Sequence, residues 1–538
     1  MGSRASLPGL FSVFAAAIAL FVLAAVHTRA ADDDENPSRP TTAPSTQPTF
    51  TDYKQIIADL NSDDEKTRQT ASLRLGSMGG AALPFVQKAL EDNDAPPEIQ
   101  IRLKRALPAL KARFRRESLV GERKAFMKNA FAEAYGKEGA DPKWDKPAKE
   151  VIDRFFEEKY RTDADRDAMI AQFMDAFNAG CRNKLVMLCM GCALGSSTHL
   201  VPHEAHLGSW SFDLLKYAAT DAPAIVRIFL CERAAAGSVP ELQKLWPLGL
   251  NAAKELMADP HAPPSIGDEF AGMLWKALRD SRAWNAGDAA TDCYKAYLAI
   301  EPADRPVRHM ILADRAITLA WKARGGGTAR TVSPEGWKNF NDNLKEAKEH
   351  LEAAWKLDPL DARIGTLMIT VCMGLNEPRE TMEQWYQRTI KADPDCYEVA
   401  SRKLYFLFPR WHGTHEEMLA FGQECLATEN WRGGIPFILV QAHNAIASET
   451  TDEKAYFLRP EVWADIKRTF EGYLVNAPQD INKRSEYARF ATRAEQWNDA
   501  NEQFQVLKDS ANYSYFGGKG TYDYLRRKAA RLAKPVNP

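Results

Sequence analysis

Apolar residues recur at intervals of three and four along most of the chain, and Pro or Gly interrupts the pattern at short distances. Strict alternation of apolar and polar positions, which is typical of half-buried strands, is almost absent. The pattern predicts about two dozen helices and no sheet of any size. The expected fold class is all-α, an α-α solenoid built from helical hairpins.

The first folded segment is expected at residues 51–116. Ser62 and Glu65 have the spacing of a capping box, and Gly79-Gly80 divides the helices on either side of it. A second apolar series starts after Pro96-Pro97 and contains Ile99, Leu103 and Leu107. The segment resembles HEAT repeats at Arg68, Ala71, Leu75, Gly76, Ala81, Leu83 and Pro84. Because one and a half such repeats cannot bury their apolar face alone, the segment should stack on helices from later in the chain.

A more regular pattern occupies residues 265–538. A small residue is followed by apolar residues four and seven positions later and by Pro after five more. Trp463 and Trp497 lie 34 residues apart in the same phase. The segment resembles degenerate tetratricopeptide repeats, whose 34-residue units are helical hairpins. The sets that fit this spacing are Ala347/Leu351/Ala354/Pro359, Ala290/Tyr294/Tyr297/Pro302 and Ile466/Phe470/Tyr473/Pro478. A shift of the last set by 34 residues gives Ala500/Phe504/Leu507/Asn512.

The middle of the chain, residues 117–264, is expected to form a helical domain of irregularly paired helices. The stretch AFNAGCRNKLVMLCMGCALGSST indicates a helix, a Gly-Cys turn and a second apolar helix.

The stretch LFPRWHGTHEEMLAFGQECL has the residues that end one helix and begin another. Pro409 is expected to end the first helix, and Gly413 to supply backbone freedom in the turn. Thr414 is expected to cap the second helix, with Glu417 reaching back to it. Trp411 would fill the corner between the two helices.

The same stretch resembles the Pro-Arg-Trp-Gly-Gly-Ser signature of a bacterial domain of unknown function that is carried on tetratricopeptide-like repeats. Pro409, Arg410, Trp411 and Gly413 match, whereas His412 replaces a Gly and Thr414 a Ser. The segment 179–186 similarly resembles a Gly-Cys-x-Asp-Pro-Leu corner of that family. The likeness extends over about residues 126–516. It implies an architecture but no activity, because the family has none assigned.

The N-terminal residues have the pattern of export. Residues 1–30 read as a signal peptide, with a basic residue at Arg4, an apolar stretch and small residues before a cleavage site after Ala30. An uncleaved membrane anchor is the alternative, because the apolar stretch is long. Residues 31–50 are acidic and then Pro/Thr-rich, which favours a disordered linker. The expected location is the periplasm or cell envelope.

Composition changes this picture little. Lys and Arg total 70 against 72 Asp and Glu, without a basic run, so nucleic acid is not an expected partner. The eight Cys lie mostly in apolar helical stretches, which favours buried thiols over disulfides.

The strongest candidate for chemistry is a set of thiols and imidazoles. Cys189 and Cys192 have CxxC spacing, and His199 and His203 come shortly after them, which could form a zinc site. Apolar neighbours favour a packed helix instead. HEAH lacks the metal-binding spacing of HExxH, and no phosphate-binding loop or nucleophile motif is present.

A second candidate is a binding corner at Arg410, Trp411, His412 and His415, where Arg could bind a carboxylate and Trp an apolar or sugar face. The FGGKGTY stretch is expected to be a turn before the last helix.

The sequence therefore favours an exported scaffold or adaptor that binds a protein or peptide in a solenoid groove, without a cofactor and without enzymatic activity. A metal- or thiol-dependent enzyme centred on Cys189 to His206 and a passive spacer of the cell envelope are the alternatives.

Overall fold

The structure is a computed structural model. It describes residues 50–91, 96–137, 141–157, 163–181, 239–263 and 304–533, together with residues 183, 185, 186, 223, 224, 227, 298 and 299. Within these residues the chain is all-helical and has no β-strand, which confirms the predicted fold class. The predicted signal peptide and the predicted linker lie outside the described residues, except for Phe50, the last residue of the predicted linker, which starts a helix.

Two compact units make up the chain. The first combines residues 1–115 with residues 312–538, and the second contains residues 116–311. The borders expected from the sequence, after residues 116 and 264, stay predictions.

The N-terminal part of the first unit is a small bundle of helices. Asp64 caps α2 by accepting a hydrogen bond from the backbone N–H of Thr67 at 2.8 Å. The predicted Ser62–Glu65 capping box is wrong, because Ser62 Oγ instead accepts from the N–H of Asp64. A 3₁₀ turn at Gly80–Ala82 separates α2 from α3, as the Gly pair predicts. The helices are α1 (Phe50–Asp59), α2 (Glu65–Ser77), α3 (Leu83–Leu90) and α4 (Pro97–Lys137), of which residues up to Arg115 belong to this unit.

The C-terminal part of the first unit consists of successive helices in antiparallel pairs. It begins within α8 (Pro306–Arg324). The later helices are α9 (Pro334–Leu357), α10 (Ala362–Gly374), α11 (Arg379–Ala392), α12 (Tyr397–Phe406), α13 (His415–Ala427), α14 (Ile438–Glu449), α15 (Glu453–Phe457), α16 (Pro460–Asn476), α17 (Ile481–Arg493), α18 (Trp497–Leu507) and α19 (Lys519–Leu532).

These helices pack as stacked hairpins. Helix α10 contacts α9, α11 and α12, and α12 in turn contacts α14, so each hairpin covers the apolar face of the next. The 34-residue register predicts the buried face correctly. Ile466, Phe470 and Tyr473 of α16 are fully buried, and the equivalent positions of α18 are buried as well, namely Ala500, Phe504 and Leu507. The set at Ala290 lies outside the described residues.

The N-terminal bundle has its own apolar core. Tyr53, Ile56 and Leu60 of α1 pack with Leu75 of α2 and Leu103 of α4. Most of the apolar positions predicted for this segment are buried or partly buried in that core, namely Ala71, Leu75, Leu83, Ile99, Leu103 and Leu107. Ala81 is exposed instead.

A buried ion pair joins this bundle to the repeats. Arg113 of α4 donates to both carboxylate oxygens of Asp395, from Nε at 2.6 Å and from Nη2 at 2.8 Å. Asp395 lies between α11 and α12, and both side chains are 2% exposed. Gly80 lies so close to this point that an added Cβ would be 2.2 Å from the Cα of Phe114. The bundle therefore stacks on repeats that come almost 300 residues later, with a sequence separation of 282.

Two further contacts extend the junction along the repeats. Arg115 forms an ion pair with Asp358, in the loop after α9, at 2.5 Å. Helix α2 packs against α16. The bundle therefore contacts several repeats. Arg115 binds the loop after α9, and Arg113 binds the loop between α11 and α12.

The second unit contains the rest of α4, then α5 (Asp145–Glu157), α6 (Asp163–Asn178), α7 (Val239–Ala258) and the start of α8. Helices α5 and α6 pack as a hairpin. Gly180 adopts a left-handed φ of 101°, and Asn183 Oδ1 accepts from the N–H of Leu185 at 3.0 Å. This is the Gly-Cys turn that the sequence predicts, while most of the second apolar helix predicted after it lies outside the described residues.

No helix among the described residues is long and apolar enough to span a membrane. The cysteines that the structure describes are buried, as the sequence predicts, namely Cys181, Cys372, Cys396 and Cys425. Burial raises the pKa of Cys372 and of Cys425 to about 12, so both remain thiols at neutral pH.

Candidate functional site

The predicted thiol and imidazole site lies outside the described residues. Cys189, Cys192, His199 and His203 all fall there, so the metal or thiol centre stays a prediction. Among the residues that the structure describes, no group of three or more His, Cys, Asp or Glu could hold a metal ion.

The turn at Pro409 connects α12 to α13 as the sequence predicts, with two corrections. Thr414 caps α13 by accepting from the N–H of Glu417 at 3.2 Å. The carboxylate of Glu417, however, does not reach back to the cap, because it forms an ion pair with Arg379. Gly413 is needed for space and not for a left-handed φ, since a Cβ there would be 2.4 Å from the carbonyl oxygen of Leu407.

Two residues of the predicted binding corner, Arg410 and His415, share one partner, Glu449 of α14. Arg410 Nη1 and His415 Nε2 contact the two carboxylate oxygens of Glu449, at 3.1 and 2.9 Å. The ring of His412 stacks on Phe406 at 4.4 Å, and its Nε2 lies 3.2 Å from the carbonyl oxygen of Met373. These contacts tie the turn to α10 and α14.

Trp411 belongs to a cluster of aromatic rings. Its ring is 6.0 Å from that of Trp321 and 6.1 Å from that of Tyr405. The indole N–H groups of Trp321 and Trp411 are both buried without a hydrogen-bond partner in the described part of the chain. This placement supports the predicted corner-filling role of Trp411, while ligand binding at the corner stays a prediction.

Arg402 is an unusual buried charge on α12. Its side chain is 3% exposed, no described carboxylate lies within ion-pair distance, and its Nε has no acceptor. The ring of Tyr405 is 6.0 Å away. Burial lowers the pKa of Arg402 to about 10, so the guanidinium stays charged at neutral pH in surroundings that disfavour charge.

The described residues also form a basic cleft at the end of the repeats, with a volume of about 460 Å³. Helix α17 ends at Arg493, and Glu495 turns the chain with a left-handed φ of 55° before α18 starts at Trp497. A 3₁₀ turn at Tyr513–Phe516 and helix α19 form the other wall. The residues that line this basic cleft are Glu453, Lys454, Phe457, Arg489, Thr492, Arg493, Glu495, Trp497, Tyr515, Phe516, Leu525 and Lys528.

Two of the four cations in the basic cleft are neutralised by neighbours. Lys454 pairs with Glu495 at 2.9 Å, and Arg493 pairs with Glu453. The pairing with Lys454 lowers the pKa of Glu495, so this carboxylate is ionised at neutral pH.

The other two cations, Arg489 and Lys528, form no ion pair with a carboxylate of the described residues, although the charge of Lys528 helps to lower the pKa of Glu495. Arg489 Nε is buried without an acceptor, and Lys528 Nζ lies 4.6 Å from the ring centre of Trp497. The basic cleft therefore has a charge of +2 beside aromatic faces. Burial, followed by the negative charges of Glu486 and Asp480, raises the pKa of Tyr515 to about 12, so this phenol stays neutral.

This basic cleft was not predicted from the sequence. Arg489 and Arg493 have the i, i+4 spacing that puts two residues on one helix face, whereas the spacing of Trp497 from Trp463 indicates only the repeat phase. The four segments that form the basic cleft are separated in sequence, so the clustering of their charges in space cannot be recognised from the sequence.

A comparison with known families gives one match. Residues 369–431 match the family model of a domain of unknown function (DUF4034). The match runs from α10 to the loop after α13 and contains the Pro409 turn, the paired corner residues and Arg402. The basic cleft lies C-terminal to it. No curated protein matches the chain.

Proposed function

We propose that the chain is a helical-repeat binding protein, a scaffold or adaptor, which holds an acidic segment of another protein in the basic cleft. The observation that carries the proposal is the pair of uncompensated cations, Arg489 and Lys528, beside Trp497 in a cleft of about 460 Å³. That volume falls in the range of about 300–1,000 Å³ that is typical of ligand pockets.

Charge selects the ligand class. Arg489 lines the basic cleft without an ion pair to a described carboxylate, and charge-assisted hydrogen bonds from a guanidinium to a ligand carboxylate contribute about 1.5–3 kcal/mol. The ring of Trp497 offers a flat apolar surface next to Lys528. An acidic residue next to an apolar or aromatic residue in the ligand would use both features.

The architecture supports a peptide or protein ligand. Stacked hairpins present extended surfaces of side chains that are suited to segments of another chain. Among the titratable groups of the basic cleft, Tyr515 is kept neutral and Glu495 ionised. Both groups hold their ordinary protonation state at neutral pH, which suits binding better than proton transfer.

Export to the periplasm or cell envelope is part of the proposal. It is supported by the apolar stretch at residues 10–26 and the small residues just after it. Sequencing the N-terminus of the protein from the envelope fraction of a bacterial host would locate the cleavage site; an unprocessed protein in the cytosol would contradict export.

A binding titration tests the basic cleft. The probe is a fluorescein-labelled peptide of alternating Glu and Phe, and the comparison peptide has Gln in place of Glu. We expect the acidic peptide to bind at least tenfold more tightly in low salt, and to weaken as salt is added. Arg489→Gln and Lys528→Gln should each weaken binding about fivefold to tenfold, which corresponds to about 1–1.4 kcal/mol.

Lys338→Gln is the matched control, because Lys338 is an exposed lysine on α9 that pairs with Asp342 outside the basic cleft. This variant should bind the acidic peptide with the same affinity as the unchanged protein. Equal binding of the two peptides, or unchanged affinity in both cleft variants, would contradict the proposal.

A further inference from the structure

The sequence contains a segment that complements the basic cleft. Asp32, Asp33, Asp34 and Glu35 are the only run of four consecutive acidic residues in the chain. The run carries a charge of −4, and it lies in the N-terminal residues that precede α1. We propose that this acidic run, residues 32–35, occupies the basic cleft of the same chain, an inference that rests on the proposed function of the cleft.

Charge complementarity is the first argument. Arg489 and Lys528 lack carboxylate partners among the described residues, whereas the other two cations of the basic cleft are paired. Unpaired cations beside a partly desolvated surface attract carboxylates, and a tethered segment has a much higher effective concentration than a free one. An effective concentration near the millimolar range makes even weak attraction sufficient for occupancy.

Reach is the second argument. Fourteen residues, 36–49, connect Glu35 to Phe50 at the start of α1, and an extended chain of that length spans about 50 Å. Helix α1 packs on α2, α2 on α16, and α16 on α17, which carries Arg489. Three helix-to-helix steps of 8–10 Å amount to about 24–30 Å, so the linker can cover the distance even with an offset along the helices.

The consequence is competition. A partner with a stronger acidic and aromatic segment must displace residues 32–35 before it binds. Weakly acidic peptides would therefore fail to displace the acidic run, and only a partner of higher affinity would bind in the basic cleft.

Zero-length cross-linking with a carbodiimide tests the contact in the full chain, because it joins a carboxylate to an amine only when they touch. We expect a cross-link between residues 32–35 and Lys528, detected by mass spectrometry. The Lys454–Glu495 pair, at 2.9 Å, provides an internal positive control. Arg489→Gln should lower the yield of the Lys528 link at least threefold while leaving the Lys454–Glu495 link unchanged.

Mixing isotopically heavy and light protein identifies the chain that supplies the acidic run. Links within one chain support the proposal, whereas mixed heavy–light links would show that a second copy provides the segment and would overturn it. A Lys454–Glu495 link without any link from residues 32–35 to the basic cleft would overturn it as well.

A second measurement separates this inference from the proposed function. Changing Asp32→Asn, Asp33→Asn, Asp34→Asn and Glu35→Gln together should tighten binding of the Glu/Phe probe about fivefold. Unchanged probe affinity, with the cleft variants still weakened, would refute occupancy and leave the proposed function standing. A Lys528 cross-link in the unchanged protein, together with no probe binding even in the variant that lacks the acidic run, would support occupancy and refute the proposed function.

Discussion

Arg113 and Arg402 are two arginines of the first unit that are buried to the same degree, in regions with opposite chemistry. At the junction of the N-terminal bundle with the repeats, Arg113 donates to Asp395 and to the carbonyl oxygens of Gly76 and Met78, at 2.6–2.8 Å. On α12, Arg402 has no carboxylate partner among the described residues and an unsatisfied Nε. At equal burial, Arg113 therefore stabilises the fold, whereas Arg402 destabilises it.

The physical reason for the difference is desolvation. A guanidinium taken out of water loses several kcal/mol, which is recovered only when its donors find acceptors in good geometry. The ion pair of Arg113 meets that condition with two parallel bonds to one carboxylate. For Arg402, the fall in pKa from 12.5 to about 10 corresponds to about 3 kcal/mol against the charged form.

The largest effect is expected at the junction. Arg113→Met removes the ion pair of the buried Asp395, so we expect the free energy of unfolding to fall by about 3–5 kcal/mol. Urea unfolding followed by circular dichroism measures the change. Arg115→Met is the matched control, because its ion pair with Asp358 is partly exposed and should contribute less than about 1 kcal/mol. Equal losses in both variants would show that burial does not set the strength of these two ion pairs.

A change of opposite sign in the free energy of unfolding is expected when Arg402 is replaced. Arg402→Met replaces an uncompensated charge with an apolar side chain of similar length, so the free energy of unfolding should rise by about 1–3 kcal/mol. Lys403→Met, at the next residue, is the control. Because Lys403 forms an ion pair with Glu383 at 2.8 Å, this variant should have a lower free energy of unfolding. A lower melting temperature for Arg402→Met would show that the guanidinium has a stabilising partner.

A smaller, pH-dependent effect is expected at Asp465. Burial alone would raise its pKa, but hydrogen bonds from His443 and Gln423 lower it below the ordinary value. A carboxyl whose pKa is lowered by folding stabilises the protein above its unfolded-state pKa of 3.8, and that contribution is lost as the pH falls through the folded-state value. Asp465→Asn should therefore reduce the drop in melting temperature between pH 5 and about pH 3; an unchanged acid profile would contradict this assignment.

The smallest effect is expected at the exposed corner. Arg410 is 47% exposed in its pair with Glu449, so Arg410→Ala should change the free energy of unfolding by less than about 1 kcal/mol. Calorimetry of the variant and of Glu449→Gln measures it. A loss comparable to that of Arg113→Met would mean that exposure is a poor guide to these ion pairs.

Periodicity predicts most of the fold. The 34-residue spacing of Trp463 and Trp497 predicts the shared phase of α16 and α18, because helix stacking depends on local apolar spacing. The capping box predicted at Ser62 is wrong because the sequence offers two residues that can cap this helix, Ser62 and Asp64. The carboxylate of Asp64 accepts from the N–H of Thr67 at 2.8 Å, whereas Ser62 Oγ accepts only from the N–H of Asp64.

Charge pairing over long distances could not be predicted from the sequence. Nothing local marks Arg113 as the partner of Asp395, since the two lie in different segments and each resembles an ordinary surface charge in its own helix or loop. The basic cleft was missed for the same reason. Its two cations without an ion pair, Arg489 and Lys528, become a common feature only after residues of α15, α17, α18 and α19 and of two turns come together.

The junction also has a consequence for synthesis on the ribosome. Asp395 follows Arg113 by 282 residues, which takes about 14–56 s at about 5–20 residues per second. During that interval the N-terminal bundle has left the ribosome without the carboxylate that its arginine requires. The first unit can close only after residue 395 of 538 has emerged, so a chaperone that shields the waiting bundle would raise the yield of folded protein.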